Sequence, residues 1–187
     1  MDTVSNYTET LEKTVRDLLE RQDDLIRTAF TDQLTGLGNR GGFARSLEEL
    51  WEQDAPVTMA FIDIDNLKHC NDVFGHDEGN RYILQVSLYL KLYMKVGEAA
   101  FRIGGDEFCV ILHRNMAGVD ALEETFVKKI AELNAQHSWM TTVSIGHAHF
   151  EPGDDMRECV RRADVQMYER KRAAKLSASV GTAQASK

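Results

Sequence analysis

In AAFRIGGDEFCVIL, residues 99–112, two apolar runs flank Gly104, Gly105, Asp106 and Glu107. The runs at 99–103 and 108–112 read as strands, and the turn-prone GGDE between them makes the pair a β-hairpin. Working outward, VTMAFIDI at 57–64 is short, apolar and β-branched, a buried strand that leads into Asp63 and Asp65. TTVSIGHAHF at 141–150 reads as a further strand. Helical periodicity marks 41–53, with Phe43, Leu47 and Leu50 inward, and 66–74, stopped by Gly75. It also marks 77–96, with Ile83, Leu84, Leu88 and Leu92 on one face, then 117–136 and 156–175. Asp65 is placed to cap the helix that begins at Asn66. The resulting β-α-α-β-β-α-β order predicts an α+β domain whose central, antiparallel-containing sheet is flanked by helices, of ferredoxin-like or polymerase-palm type.

Residues 4–30 hold no Gly or Pro and are rich in helix formers. At alternating steps of four and three, one seam runs Val4, Thr8, Leu11, Val15, Leu18, Gln22, Leu25, Ala29, six of the eight apolar, between charged flanks. That is a coiled-coil pattern of nearly four heptads, in which Gln22 costs stability and helps set register. A parallel dimeric coil is the expectation; the alternative is one amphipathic helix lying on its own domain. The chain thus divides into a signalling or coiled-coil helix at 1–31, a domain at 32–176 and a small, polar tail at 177–187 expected to be disordered. The turn-rich TDQLTGLGNR at 31–40 joins the first two. Such a helix also suits a linker, so an upstream sensor domain in a longer protein is expected.

At 187 residues, 43% apolar and 28% charged, the composition is that of a globular domain with an appendage, which excludes a wholly disordered or fibrous chain. The formal charge of -8 argues against a general nucleic-acid binder, because neutralising phosphates needs a basic face. Residues 161–175 run against that balance, with six cations to two carboxylates, a local patch suited to a small phosphorylated ligand. Cys70, Cys109 and Cys159 are odd in number and lack CxxC spacing, which reads as a reducing compartment. No apolar run reaches the ~18 residues of a membrane span, and the first residues lack the basic start and apolar core of a secretory signal. A cytoplasmic location is therefore expected.

Asp63 at a strand end and Asp106 and Glu107 in a hairpin tip are candidates to meet. Carboxylates gathered in this way suit a hard cation such as Mg²⁺, which takes oxygen ligands and shares them with substrate phosphates. Gly104 and Gly105 lack a Cβ and let a phosphate approach the backbone. Taken alone, GGDE reads equally well as a solvated acidic turn. The stretch FRIGGDEF at 101–108, however, contains the signature of the GGDEF family of diguanylate cyclases. DQLTGLGNR at 32–40 resembles the family's opening motif, and FIDIDNLKHCNDVFGHDEGN at 61–80 its DxDxFKxxND and GHxxGD motifs. TVSIG at 142–146 and ADVQMYERK at 163–171 resemble its last strand and last helix. The resemblance covers residues 32–175, five motifs in order.

The resemblance implies a nucleotidyl-cyclase fold and a Mg²⁺-dependent reaction, with Mn²⁺ as a substitute, that condenses two GTP into cyclic di-GMP. It implies Asp63, Glu107 and the Ile64 carbonyl as metal ligands, and Asp106 as general base or second metal contact. Lys68 would stabilise charge at the reacting phosphates. Asn71 would contact the base, His76 would sit close to the substrate, and Lys171 would reach the terminal phosphates. A solvated lysine at 68 and a loop hydrogen-bonder at His76 are the plainer alternatives. One domain holds one triphosphate, so two must face each other, and the N-terminal coil is the device expected to join them as a homodimer.

Three departures from the family's pattern bear on function. Asn80 stands where the family carries an Asp that accepts from guanine N–H groups. Asn offers one acceptor and one donor, a closer match to adenine, so acceptance of ATP beside GTP is an expectation. Lys95, Val96, Gly97 and Glu98 occupy the family's RxxD motif for product inhibition, and Lys lacks the bidentate fork of Arg, so that inhibition is expected to be weak. Ala174, Lys175 and Leu176 replace GRN, with Lys175 a partial substitute for a phosphate-contacting Arg. Leu67, in place of the usual Phe, is a smaller change. The competing function is a non-catalytic or altered-specificity module that binds nucleotide and relays a signal. A nucleic-acid polymerase palm is a remote third, given a short, acidic chain.

Overall fold

The computed structural model describes the backbone of residues 2–53, 55–137, 139 and 141–184, and among these the side chains from Asn6 to Leu176. Helices α1 (Asp2–Phe30) and α2 (Arg40–Gln53) lead into β1 (Val57–Asp65), α3 (Leu67–Phe74), α4 (His76–Tyr93) and β2 (Ala99–Arg102). Then follow β3 (Glu107–Leu112), α5 (Met116–His137), β4 (Thr142–Phe150) and α6 (Met156–Gln184). The order of elements is the expected one. The strands form one antiparallel sheet in the order β2-β3-β1-β4. β1 is central and buried at every residue, which is why it reads as an unbroken apolar run.

Side-chain alternation along the strands splits the core into two layers. Ala60, Ile62, Ile64, Phe108 and Val110 cluster with Tyr82, Val86 and Leu90 of α4 and Phe126 and Ile130 of α5. Met59, Phe61, Cys109, Ile111 and Ala148 cluster with Phe43 and Leu50 of α2 and Cys159, Ala163 and Met167 of α6. Asp63 and Asp65 share the alternation of Met59 and Phe61, so both carboxylates emerge on the α6 side. A Cβ at Gly146 would collide with the backbone of α6 at Ala163 and Met167, so glycine there lets α6 lie directly against β4. Asp155 starts α6, its Oδ1 accepting the Arg157 N–H at 2.9 Å.

α1 projects from the domain. Leu11, Val15, Leu18 and Leu25 of the predicted seam are all exposed, so the helix does not lie on its own domain; Val4 lies outside the described side chains. Its C-terminal end is anchored by Asn39, whose Nδ2 donates to the Ala29 carbonyl and whose Oδ1 accepts the Gly42 N–H, each at 3.0 Å. One amide thus closes α1 and caps α2. The turn between them also extends the sheet. Gly38 N–H donates to the Ala100 carbonyl at 3.1 Å, and its carbonyl accepts from Arg102 N–H at 2.7 Å, covering the edge of β2.

Two expectations are corrected. α4 turns Tyr82, Ile83, Val86 and Leu90 inward but leaves Leu84, Leu88 and Leu92 exposed. Two apolar stripes run along opposite sides of this helix, and periodicity alone does not choose between them. Asp65 does not cap α3. The N-cap is Asn66, in the left-handed region at φ 62° and without a side-chain cap bond. β1 continues through Asp65, so its Oδ2 points along the sheet and accepts the hydroxyls of Ser144 at 2.8 Å and Thr142 at 3.0 Å. α6 is described as far as Gln184, and residues 185–187 lie outside the described residues.

Candidate active site

β1 carries Asp63 to one end of the sheet, in register with Glu107 at the start of β3. Ile64 N–H donates to the Asp106 carbonyl at 2.9 Å, which stitches the hairpin turn to β1. Within the turn, the Glu107 carbonyl accepts from Ile103 N–H at 2.9 Å and Gly104 N–H at 3.2 Å. Two arginines brace it from outside. Arg102 donates to the Gly105 carbonyl at 2.8 Å and pairs with Asp32 at 3.3 Å, while Arg40 Nε donates to the Ile103 carbonyl at 3.0 Å. Asp32 also accepts the Thr35 N–H at 2.8 Å and hydroxyl at 2.6 Å. Burial pushes the Asp32 carboxyl up, but the Thr35 and Arg102 donors outweigh it and hold its pKa below the usual aspartate value. The Glu107 carboxylate lies over Gly104, where a Cβ would displace it, and Gly105 opens to free space. Glycine at both positions therefore leaves the loop tip accessible.

Asp63 is 2% exposed. Lys171 Nζ of α6 donates to its Oδ2 at 2.6 Å, and its Oδ1 is buried without a hydrogen-bond partner. Burial raises the pKa of this carboxyl, and Asp106 and Asp65 push the same way, so it stays above the usual aspartate range despite Lys171. Burial lowers the Lys171 pKa, but the hydrogen bond and charge of Asp63 outweigh it and hold the ammonium above the ordinary lysine value. A buried carboxylate with one orphan oxygen, facing two further carboxylates, is an environment a cation would complete. Among the described residues, no three His, Cys, Asp or Glu side chains close into a metal cage. Asp63, Glu107 and the Ile64 carbonyl could hold a metal, an all-oxygen set of the kind Mg²⁺ completes with water and substrate phosphates.

Lys68, Asp106, Lys171 and Lys175 line one cleft with Ile64. The structure thus brings three predicted phosphate-contacting cations, from α3 and α6, to the acidic hairpin. Glu107 faces a neighbouring cleft beside Arg40, Arg157 and Arg161. Asn71, His76 and Asn80 line neither. The Asn71 carboxamide occupies the space a Cβ at Gly79 would need, so α3 packs onto the first turn of α4 beside Asn80. Asn80 and His76 are exposed, His76 following Gly75 at φ 90°. Sequence reasoning assigned no role to Asp32, Arg40 or Arg102. The first two stand in the quoted opening motif, a usable signal, whereas the partner of Arg102 lies 70 residues away in sequence.

Glu98 is already engaged. Its side chain is 1% exposed and pairs with Arg114, whose Nε donates to Oε1 at 2.6 Å, and Oε2 accepts the Lys95 N–H at 2.8 Å. Burial pushes this carboxyl up, but the Arg114 and Lys95 donors outweigh it and hold its pKa below the ordinary 4.5. A folded pKa below the unfolded one contributes stability above the unfolded value, and that stability is lost as pH falls through the folded value. Glu98→Gln is therefore expected to lower stability at neutral pH by about 3 kcal/mol, because Arg114 stays buried without its partner. The gap in urea midpoint between the two proteins should narrow once pH drops below the glutamate range. Equal midpoints at neutral pH would show the pair contributes nothing.

The family model for the diguanylate cyclase GGDEF domain matches residues 29–176. Among curated proteins, the chain is similar to two diguanylate cyclases of Escherichia coli K12, DgcP at 33% identity over 170 residues and DgcN at 32% over 168. The alignments cover 86% and 82% of this chain but 50% and 40% of those proteins, so the chain spans half or less of their length. Among solved structures, the coiled coil and GGDEF domain of DgcB from Caulobacter crescentus, in complex with c-di-GMP, is similar with a TM-score of 0.79 at 27% identity. That match covers 92% of this chain and 96% of that one. The family match runs from the end of α1 into α6 and takes in the whole sheet, so the chain belongs to the GGDEF diguanylate cyclase domain family.

Proposed function

We propose that this chain condenses two GTP into cyclic di-GMP, as a homodimer and with Mg²⁺. The observation that carries the reading is Asp63, buried, in register with Glu107, with one oxygen on Lys171 and the other without a partner. Lys68, Lys171 and Lys175 hold the triphosphate in the cleft they share with Asp106. Asp63, Glu107 and the Ile64 carbonyl would hold Mg²⁺, which when bound would supply charge neutralisation at phosphate oxygens and a lower pKa for the attacking hydroxyl. Asp106 accepts the proton of a 3′-hydroxyl as that oxygen bonds to the α-phosphorus of the other GTP. The bond from that phosphorus to the β-phosphate oxygen breaks, and pyrophosphate leaves. The same step in the opposite sense closes the ring. The protein contributes mostly position, because a braced hairpin keeps the acceptor and the metal ligands in place before substrate arrives.

The second GTP comes from a partner protomer, and the exposed seam of α1 supports the parallel coil that would bring it. The engagement of Glu98 with Arg114 supports weak product inhibition through the Lys95–Glu98 turn. An upstream sensor and a cytoplasmic location complete the reading; no described helix is long and apolar enough to cross a membrane. The test is incubation with GTP, ATP or both in the presence of Mg²⁺, with chromatographic resolution of products. Cyclic di-GMP from GTP is the expected result, and no cyclic dinucleotide from any mixture would leave the signal-relay reading in its place.

Asn80, exposed on α4 beside Asn71, supports a broadened base choice. Asp at this position offers acceptors alone, which suit guanine N1–H and N2–H and repel the adenine N1 lone pair. Asn exchanges one acceptor for a donor. Hydrogen bonds to charged groups are worth about 1.5–3 kcal/mol, so Asn80→Asp is expected to raise preference for GTP over ATP roughly ten- to a hundredfold. Calorimetry of both proteins with both nucleotides checks this. Equal selectivity would mean that the side chain does not read the base.

A further inference from the structure

Lys171 belongs to two parts of the site at once. Its Nζ donates to Asp63 Oδ2 at 2.6 Å, and it lines the cleft that also holds Lys68, Lys175 and Asp106. The Asp63 side chain is 3% exposed and that of Lys171 21%, so the carboxylate is shut off from water while the lysine keeps access to the cleft. Among the described residues, Lys171 is the one cation paired with Asp63. The pair is not what docks α6. Two turns and one turn earlier, Ala163 and Met167 are buried in the second core layer, and Gly146 lets the α6 backbone lie against β4. The bond instead neutralises a carboxylate whose burial would leave its charge uncompensated.

We propose that Lys171 is a displaceable internal counter-ion, which keeps the free divalent cation out of the site and admits it together with a nucleoside triphosphate. The inference rests on the reading of Asp63 and Glu107 as metal ligands. The ammonium takes up Oδ2, one of the two oxygens Asp63 can offer, and its charge repels a second cation at the partnerless Oδ1. A free cation must therefore displace Lys171 without giving it a new partner. A triphosphate gives it one, because phosphate oxygens in the cleft accept from Lys171 in charge-assisted hydrogen bonds. The flexible four-carbon stem lets the ammonium turn from Oδ2 toward the cleft while α6 stays in place. Both Asp63 oxygens are then buried without a partner, which favours the cation at that moment. Cation and nucleotide thus strengthen each other's binding by equal factors.

The experiment follows Mn²⁺ binding to the full chain by loss of the free ion's electron paramagnetic resonance signal, a readout independent of turnover. It is run with Mn²⁺ alone and with a GTP analogue that carries a methylene in place of the oxygen bridging the α- and β-phosphorus and so cannot release pyrophosphate. The parent chain should bind Mn²⁺ weakly alone and roughly tenfold or more tightly with the analogue. Lys171→Met should bind the free ion roughly ten- to a hundredfold more tightly than the parent chain, the range that one charge-assisted hydrogen bond corresponds to, and should gain less from the analogue. Lys171→Gln, an amide donor without the charge, should shift the same way, and it carries the test if the urea midpoint shows Lys171→Met to be unfolded. Lys171→Arg, still a cation, should bind the free ion as weakly as the parent chain. If the folded neutral variants bind free Mn²⁺ no more tightly than the parent chain, the counter-ion role is overturned, and analogue-dependent Mn²⁺ binding by the parent chain then leaves the metal site itself standing. No Mn²⁺ binding by the parent chain even with the analogue overturns both.

Discussion

Glu107→Gln is expected to reduce cyclic dinucleotide formation a hundredfold or more, roughly the cost of removing one charged group from a preorganised site, while leaving the fold unchanged. Glu107 opens β3, and its backbone ties the turn together through bonds from Ile103 and Gly104 that the substitution leaves in place. The side chain lies over Gly104 at the rim, so an isosteric amide costs little packing. What is lost is one of the two carboxylates in the donor set. The amide oxygen is a neutral and weaker ligand for a hard cation. Circular dichroism and a turnover assay at saturating GTP and Mg²⁺ check the two halves of this expectation. Turnover like that of the parent chain, from a folded Glu107→Gln protein, removes the residue from the mechanism.

A chain beginning at Thr31 is expected to be monomeric at micromolar concentration and to lose cyclic di-GMP synthesis almost entirely. Neither core layer contains a residue of α1, so the domain keeps its packing without that helix. What disappears is the exposed seam of Leu11, Val15, Leu18 and Leu25 and, with it, the means of holding two clefts at high effective concentration. The shortened chain should still bind one GTP, because Asp63, Lys68, Asp106 and Lys171 all lie downstream. Light scattering beside an activity assay checks the result. A monomeric shortened chain with full activity would exclude the coil as the organiser of the active dimer.

Much of this protein is written in local pattern. Strand and helix order follows from alternation and periodicity between Gly and Pro punctuation, and the observed order of elements agrees with it. The acidic hairpin was legible because its glycines and carboxylates are adjacent in sequence. Helix α1 was legible because the first thirty residues of the chain hold no Gly or Pro and are rich in helix formers.

Contacts between distant segments were decided by the tertiary structure. Asp65 reads as a helix cap from its neighbours, yet β1 runs one residue further and delivers it to Ser144 and Thr142 on β4. α4 offers two apolar stripes, and the sheet buries the one with Ile83 and leaves out the one with Leu88. Arg102 and Asp32 meet across 70 residues to brace the hairpin, and Lys171 reaches Asp63 across 108. The physical reason is the same in each case. Periodicity and capping report the energetics of a segment against its immediate neighbours in the chain. The partner of a buried charge, or the face a helix buries, is set by which other segments the chain folds against it, and that information resides in no single stretch of residues.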